Sequence, residues 1–209
     1  AVQFFSRGVP MTCGGDEFAR TQNGNNNPYK IDSMAMWQNY AMIATPATNS
    51  IPTAGTGSYH DNYGRDAGRT GKNGLFLFTH FVIGLRKAHP CLRVDRFGDL
   101  NMDAGNDVTY SFRSPDGQAD AVDGDPRLYW RIDGSGIDDT DFLIFVNQHH
   151  EVAEFAVPSA AAGKRWLRLI DTASWAEADG NFWPAEKAET IRNRYWVHPR
   201  SLVVLQEKA

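Results

Sequence analysis

Two hydrophobic periods divide the chain. Across residues 75–90 (LFLFTHFVIGLRKAHP) apolar side chains crowd most faces of a helical wheel, Asn73 stands where a cap is needed, Arg86 and Lys87 lie near the end, and Pro90 stops the element. A helix this apolar has to be covered on more than one side. From Val108 the period falls to two: Val108, Tyr110 and Phe112 alternate with Thr109 and Ser111, and Ser114-Pro115-Asp116-Gly117 reads as a turn. Residues 128–132, 142–147, 153–157, 166–171 and 202–205 are further strand candidates. Short strands separated by Gly, Pro and Asp predict a mainly β protein whose C-terminal part is an antiparallel β-sandwich.

Ahead of the helix the pattern is different. Residues 9–13 (VPMTC) are too few for a buried helix, and Pro10 with Gly14-Gly15 predicts a buried strand followed by a tight turn. Continuous apolar strands belong to sheets covered on both faces, with ligand loops at their carboxyl ends, so the loop from Gly14 is expected at a functional face. Residues 1–7 carry Val2, Phe4 and Phe5 into Gly8, like the last turns of an apolar helix ended by glycine. A helix starting this abruptly leads us to expect the C-terminal part of a longer protein. Ile31, Met34, Met36 and Trp37 give weak helical spacing, and residues 45–74, rich in Gly, Thr, Asn and Pro, exceed ordinary connections and suggest a lid. The expected boundary falls just after the long helix, giving regions 1–92 and 93–209.

Composition narrows the function classes. A hydrophobic content of 42% supports a core, and a net charge of −4 without a basic block removes the footprint of a nucleic-acid binder. No apolar run approaches the roughly 20 residues that span a bilayer, so no membrane partner is expected. Cys13 and Cys91 cannot build a disulfide framework and are read as buried, inert thiols.

The segment Gly8-Val9-Pro10, Gly14-Gly15-Asp16-Glu17, Arg20-Thr21-Gln22 and Asn25-Asn26-Asn27-Pro28-Tyr29 resembles the eighth-strand region of the isoamylase and glycogen-debranching branch of the α-amylase superfamily. Leu85, Arg86, Lys87, His89 and Pro90 resemble the end of that family's last barrel helix. Phe145-Val146-Asn147 and Leu169-Ile170-Asp171-Thr172 resemble its C-terminal β domain. The resemblance implies the last strand and helix of a truncated (β/α)8 barrel, followed by the sandwich. It also implies a parent enzyme that hydrolyses α-1,6 branch linkages in glycogen or a related α-glucan by a retaining double displacement.

Glycoside hydrolysis requires two carboxyl groups facing each other across the scissile bond. Asp16 and Glu17 are adjacent and diverge, so they are expected to bond loop amides or to pair with Arg20. The family's nucleophile, acid and third carboxylate follow earlier barrel strands, and none is matched here, so the 209 residues alone are expected to be inactive, with no catalytic residue of their own. Arg20, Asn25, Asn26, Asn27 and Tyr29 are the expected substrate-binding residues: amides suit sugar hydroxyls and a tyrosine ring suits a pyranose face, although asparagines also satisfy the backbone of their own turns. Tyr59, His60 and Tyr63 in the long loop would reach a glucan only if that loop folds over the cleft.

No cofactor and no metal are expected. His149 and His150, as successive strand residues, should point to opposite faces and lack a third ligand at useful spacing, and they read as solvated histidines at a strand end. The aspartates around residues 120–125 and 133–141 do not follow a calcium-loop pattern and read as turn chemistry. The expected partners are an α-glucan and the remainder of the catalytic barrel. The rival readings are a carbohydrate-binding sandwich module without hydrolase activity, using some of Trp130, Trp166, Trp175, Trp183 and Trp196, and a purely structural domain.

Overall fold

The computed structural model describes residues 1–20, 27, 29, 30, 38, 40–44, 73–94 and 108–209. Asn25, Asn26, the weak helical spacing of residues 31–37 and loop residues 45–72 with Tyr59, His60 and Tyr63 lie outside the described residues. The chain divides into two compact units, one formed by Ala1–Val9 with Val82–Ala209 and the other by Pro10–Phe81.

The larger unit is mainly antiparallel β. Its strands are β1 (Thr109–Arg113), β2 (Arg127–Asp133), β3 (Phe142–Asn147), β4 (Ala153–Val157), β5 (Arg165–Asp171), β6 (Thr190–Ile191), β7 (Asn193–Val197) and β8 (Ser201–Lys208). Six form a sheet in the order β1-β2-β3-β8-β5-β6, and β4 pairs with β7 in a second. Every pairing is antiparallel. Between the sheets, Leu143, Phe145, Val203, Leu205 and Trp166 of the larger meet Phe155, Val157 and Val197 of the smaller in one buried cluster. This is the expected sandwich.

Six of the eight strands fall where period-two reading places them. β6 and β7 do not, because the first has only two residues and the second (NRYWV) keeps only Val197 buried, so neither carries a clear alternation. β3 and β8 read as near-continuous apolar runs for a different reason. Their inner residues face the smaller sheet, while on the opposite face Phe142 meets Phe5 and the His89 ring. Phe5 belongs to α1 (Val2–Phe5), a single turn ended by an extended Ser6 rather than by Gly8, which lies two residues beyond with φ +90°.

The long helix is found as expected. Helix α2 spans Gly74–Ala88, the Asn73 side-chain oxygen accepts the Phe76 amide at its start, and Pro90 opens a 3-10 turn, Pro90–Leu92. Val82 and Arg86 are buried whereas Leu75 and Ile83 are exposed, so the described surroundings cover only part of its apolar surface. In the smaller unit Phe18, Met42, Ile43 and Phe76 form a compact cluster, with Tyr40 set edge-on to Phe18.

The expected first strand is not found. Residues 9–13 form no strand: they have no ladder partner among the described residues, and Val9 and Met11 are 89% and 80% exposed. A strand is stabilised by its neighbours rather than by its own residues, so an apolar pattern without them stays unpaired. Cys13 is consequently exposed and not a buried thiol; only Cys91 is buried. Burial pushes the Cys91 thiol up, as do its bond to Asp139 and the charges of Asp139 and Asp141. Titration of the native protein with a disulfide reagent at pH 8 is expected to modify one thiol within minutes and the second only on unfolding; two fast thiols would contradict this burial.

Candidate functional site

The expected rim loop is a self-bonded turn. Gly15, at φ +97°, starts the 3-10 turn Asp16–Phe18, and a Cβ there would lie 2.5 Å from Arg20 Cδ, so the tight turn needs glycine. Asp16 accepts the Cys13 amide at 3.2 Å and Arg20 Nε at 3.2 Å, while Glu17 accepts the Gly15 amide at 2.8 Å. Both carboxylates are therefore spent on their own loop, in the structural role expected of them. Arg20 is the ion-pair partner of Asp16. Asn27 is exposed and its side-chain oxygen accepts the Tyr29 amide at 3.1 Å, which is an Asx turn. The Tyr29 ring is 75% exposed, with Lys30 Nζ 5.7 Å from its centroid.

In the larger unit, polar side chains tie the end of α2 to the sheet. Arg86 donates to the carbonyls of Phe4 (2.6 Å), Ser6 (3.2 Å) and Gly8 (2.6 Å). Arg7 donates to the Val108 carbonyl and lies 4.4 Å over the Tyr110 ring, whose hydroxyl donates to the Cys91 carbonyl. Asp139 accepts the amides of Cys91 (2.9 Å) and Thr140 (2.8 Å) and contacts His89 Nδ1 at 2.8 Å. Gln206 Nε2 lies 3.0 Å from His89 Nε2, so an imidazole with its proton on Nδ1 satisfies both neighbours. Burial raises the Asp139 pKa, and its bonds from the Cys91 amide, His89 and the Thr140 amide outweigh that and hold it below the ordinary carboxylate range. The His89 end of the helix motif is thus a structural clasp.

Asp125 and Asp133 follow the expected turn chemistry, each accepting from the residue two positions on, whereas Asp141 is bonded by a strand residue ten positions back. Asp125 accepts Arg127 at its backbone and guanidinium, Asp133 accepts Ser135, and the buried Asp141 accepts Arg131 Nη2 at 2.5 Å and the Gly134 amide at 3.1 Å. The histidine pair departs from expectation. His149 and His150 lie past the end of β3, so strand alternation does not apply, and their rings approach to 4.1 Å between centroids with ligand atoms of both and of Glu151 within 4.8 Å.

A second polar cluster lies where the chain passes from the six-stranded to the two-stranded sheet. Leu169 is an extra residue against β8, since Arg168 pairs with Leu205 and Ile170 with Val204. Next to this bulge the Arg168 guanidinium lies 4.3 Å from the Trp183 ring and 4.9 Å from that of Trp175, donates to the Tyr195 hydroxyl at 3.1 Å and pairs with Glu189 at 2.9 Å. Tyr195 in turn donates at 2.7 Å to Asp171, which is fully buried. Burial and that acceptor push the Tyr195 phenol upward. Around this cluster runs an open groove of about 490 Å³ lined by Trp175, Trp196, Arg192, Arg194, Glu189 and His198 among others. The five tryptophans considered from sequence therefore divide: Trp130 and Trp166 are buried, Trp183 is half-buried, and Trp175 and Trp196 are exposed.

Comparison with known proteins assigns a family to the C-terminal part of the chain. Residues 114–206 match the family model described as "Isoamylase, C-terminal". Residues 114–206 form an isoamylase C-terminal domain. Over its whole length the chain is 35% identical to the isoamylase of a Flavobacterium species, covering 25% of that protein. It is 25% identical over 99% of its length to the glycogen operon protein GlgX homolog of Mycobacterium bovis, covering 27% of that protein. The chain thus spans about a quarter of the length of these relatives. Pullulanase from Bacillus acidopullulyticus superposes on 98% of the chain with a TM-score of 0.58 at 18% identity, a likeness of fold, and the chain covers 19% of that structure.

The isoamylase C-terminal domain, as matched, starts in the turn after β1 and ends within β8, so it contains the Arg168 cluster and the groove, whereas α2 and the Arg86 contacts precede it. Of the expected site residues, the structure brings Arg20 to Asp16 and Asn27 to Tyr29, and Asn25 and Asn26 are outside the described residues. Arg168, Tyr195 and Glu189 were not expected from sequence; a bulge and a two-residue strand bring them together, and neither leaves a periodic signal.

Proposed function

We propose that this chain is the C-terminal region of an isoamylase-type debranching glycosidase, which hydrolyses α-1,6 branch linkages in glycogen or a related α-glucan. The observation that carries the reading is the 35% identity to an isoamylase along the entire chain. The geometry of the rim loop supports it, because Asp16 and Glu17 are engaged by the amides of Cys13 and Gly15 and are not held apart across a cleft. The opposed carboxylates that a retaining mechanism needs about 5 Å apart are then supplied by parts of the parent outside these 209 residues. In this reading residues 1–92 complete the catalytic barrel, residues 93–209 are the sandwich, and Arg20, Asn25, Asn26, Asn27 and Tyr29 present polar groups and one aromatic face to the glucan. The apolar groove of about 330 Å³ beside Val2, Tyr110, Phe112, Leu128 and Trp130 suits a face seated against the rest of the barrel.

Reducing-end release from glycogen tests the reading. The parent enzyme should release linear chains and deepen iodine staining, and the 209-residue chain alone should release none. Turnover by the chain alone that disappears in Asp16→Asn or Glu17→Gln would overturn it, as would a parent that releases only α-1,4-cleavage products.

A further inference from the structure

The groove at the crossing between the two sheets has the features of a surface that holds a neutral polyhydroxylated chain. Trp175 and Trp196 are 43% and 54% exposed on a domain whose other large aromatic side chains are mostly covered. An exposed indole loses water-contact cost when a flat apolar surface lies against it, and the C–H face of a pyranose is such a surface. Trp175 is also held in place before any ligand arrives. It stacks on Trp183 at 5.8 Å between centroids, and the Arg168 guanidinium lies against both rings while bonded to Tyr195. A ring already ordered loses little rotamer freedom on binding.

Charge distinguishes the ligand class. Arg168 is paired with Glu189 at 2.9 Å and Arg194 with Glu154 at 3.2 Å, so two of the three arginines lining the groove have local counter-ions and the net field offered to a phosphate or an acidic peptide is reduced. Paired guanidinium and carboxylate groups still present donors and acceptors to vicinal hydroxyls. The groove is open, with a volume of about 490 Å³, and so can admit a chain lying along the surface. Trp196 and Arg194 belong to β7, while Arg168 and Trp175 lie on and just after β5, so the contacts come from both layers of the sandwich.

We propose that this groove is a glucan-holding site on the sandwich, separate from the rim loop, in which sugar rings of an α-1,4-linked chain stack on Trp175 and Trp196 and their hydroxyls bond Glu189, Arg192 and Arg194. The choice of an α-glucan rests on the debranching reading above; the choice of a neutral sugar chain rests on the groove itself. Its role is to keep a branched polysaccharide attached while its branch linkages are processed elsewhere.

Affinity electrophoresis of the full 209-residue chain in native gels containing glycogen, with laminarin gels as the β-linked control, tests this. The wild-type chain should be retarded by glycogen and not by laminarin, and Trp196→Ala and Trp175→Ala should each weaken the apparent affinity at least about 10-fold. Trp196→Ala removes a ring that covers little of the core, so an unchanged urea midpoint in that variant separates lost binding from lost folding. No retardation of the wild type, or retardation unchanged in both variants, would overturn the site; retardation by laminarin alone would overturn the α-glucan assignment. Reducing-end release by the parent scores the debranching reading independently, so loss of either claim is seen without the other.

Discussion

Replacing Phe145 by alanine is expected to lower the stability of the sandwich by roughly 3–5 kcal/mol, the largest effect of any single truncation considered. Phe145 is fully buried at the centre of β3, with Tyr129 beside it at 5.2 Å and Phe155 of the smaller sheet stacked on it at 5.0 Å. It is therefore a main contact between the two layers, and its removal leaves a cavity walled by two strands of one sheet and one of the other. Neither layer can collapse into that space without breaking its own ladder, so little of the loss is recovered by relaxation. Urea unfolding followed by tryptophan fluorescence should show a midpoint lower by about 2 M. Phe145→Leu, which keeps most of the volume, should lose less than half as much. A midpoint drop below about 0.5 M for the alanine variant would mean that the sheets are not joined through this ring.

The second large effect is expected at Asp139. Asp139→Ala leaves the amides of Cys91 and Thr140 and the Nδ1–H of His89 without their acceptor in a region where the carboxylate is only 10% exposed. Orphaned buried donors of this kind cost roughly 2–4 kcal/mol together. The pH dependence has a definite sign. The Asp139 pKa is depressed in the folded protein, so the unfolded chain binds its proton first and stability rises with pH through that range. Its contribution is complete above the unfolded value of about 3.9 and is lost as pH falls through the lower folded value. Wild type and Asp139→Ala should therefore differ most above about pH 4 and converge as the carboxylate is protonated below it. A difference that persists undiminished well below that range would contradict the assigned bonds.

The residues that announced the fold most clearly are those whose burial follows from their own spacing. The alternation of Val108, Tyr110 and Phe112, and the runs that became β3, β4 and β5, each state a face. Asn73, Pro90 and the apolar stretch between them state a helix with both ends. Residues 9–13 were misread because an apolar run reports a need for cover and not the presence of it; here Val9 and Met11 meet solvent. His149 and His150 do lie at a strand end as expected, but not on opposite faces, because β3 ends at Asn147, whose side chain donates to the carbonyls of Glu151, Val197 and His198 and turns the chain out of the strand. Of the candidate site, the pairing of Asp16 with Arg20 and the Asx turn at Asn27 were legible from side-chain chemistry over two to four residues. The Arg168 groove was not, because it depends on a bulge at Leu169 and on contacts between residues as far apart as Arg168 and Tyr195.

The three carbonyls held by Arg86 bear on where this polypeptide can be divided. A cut placed after Leu92 would strand the Asp139 carboxylate without its imidazole and leave the Tyr110 hydroxyl facing no carbonyl, while the opening nine residues would lose the guanidinium that gathers them. Anyone excising the sandwich for separate study should keep the second half of the long helix, from Val82, together with that opening strip.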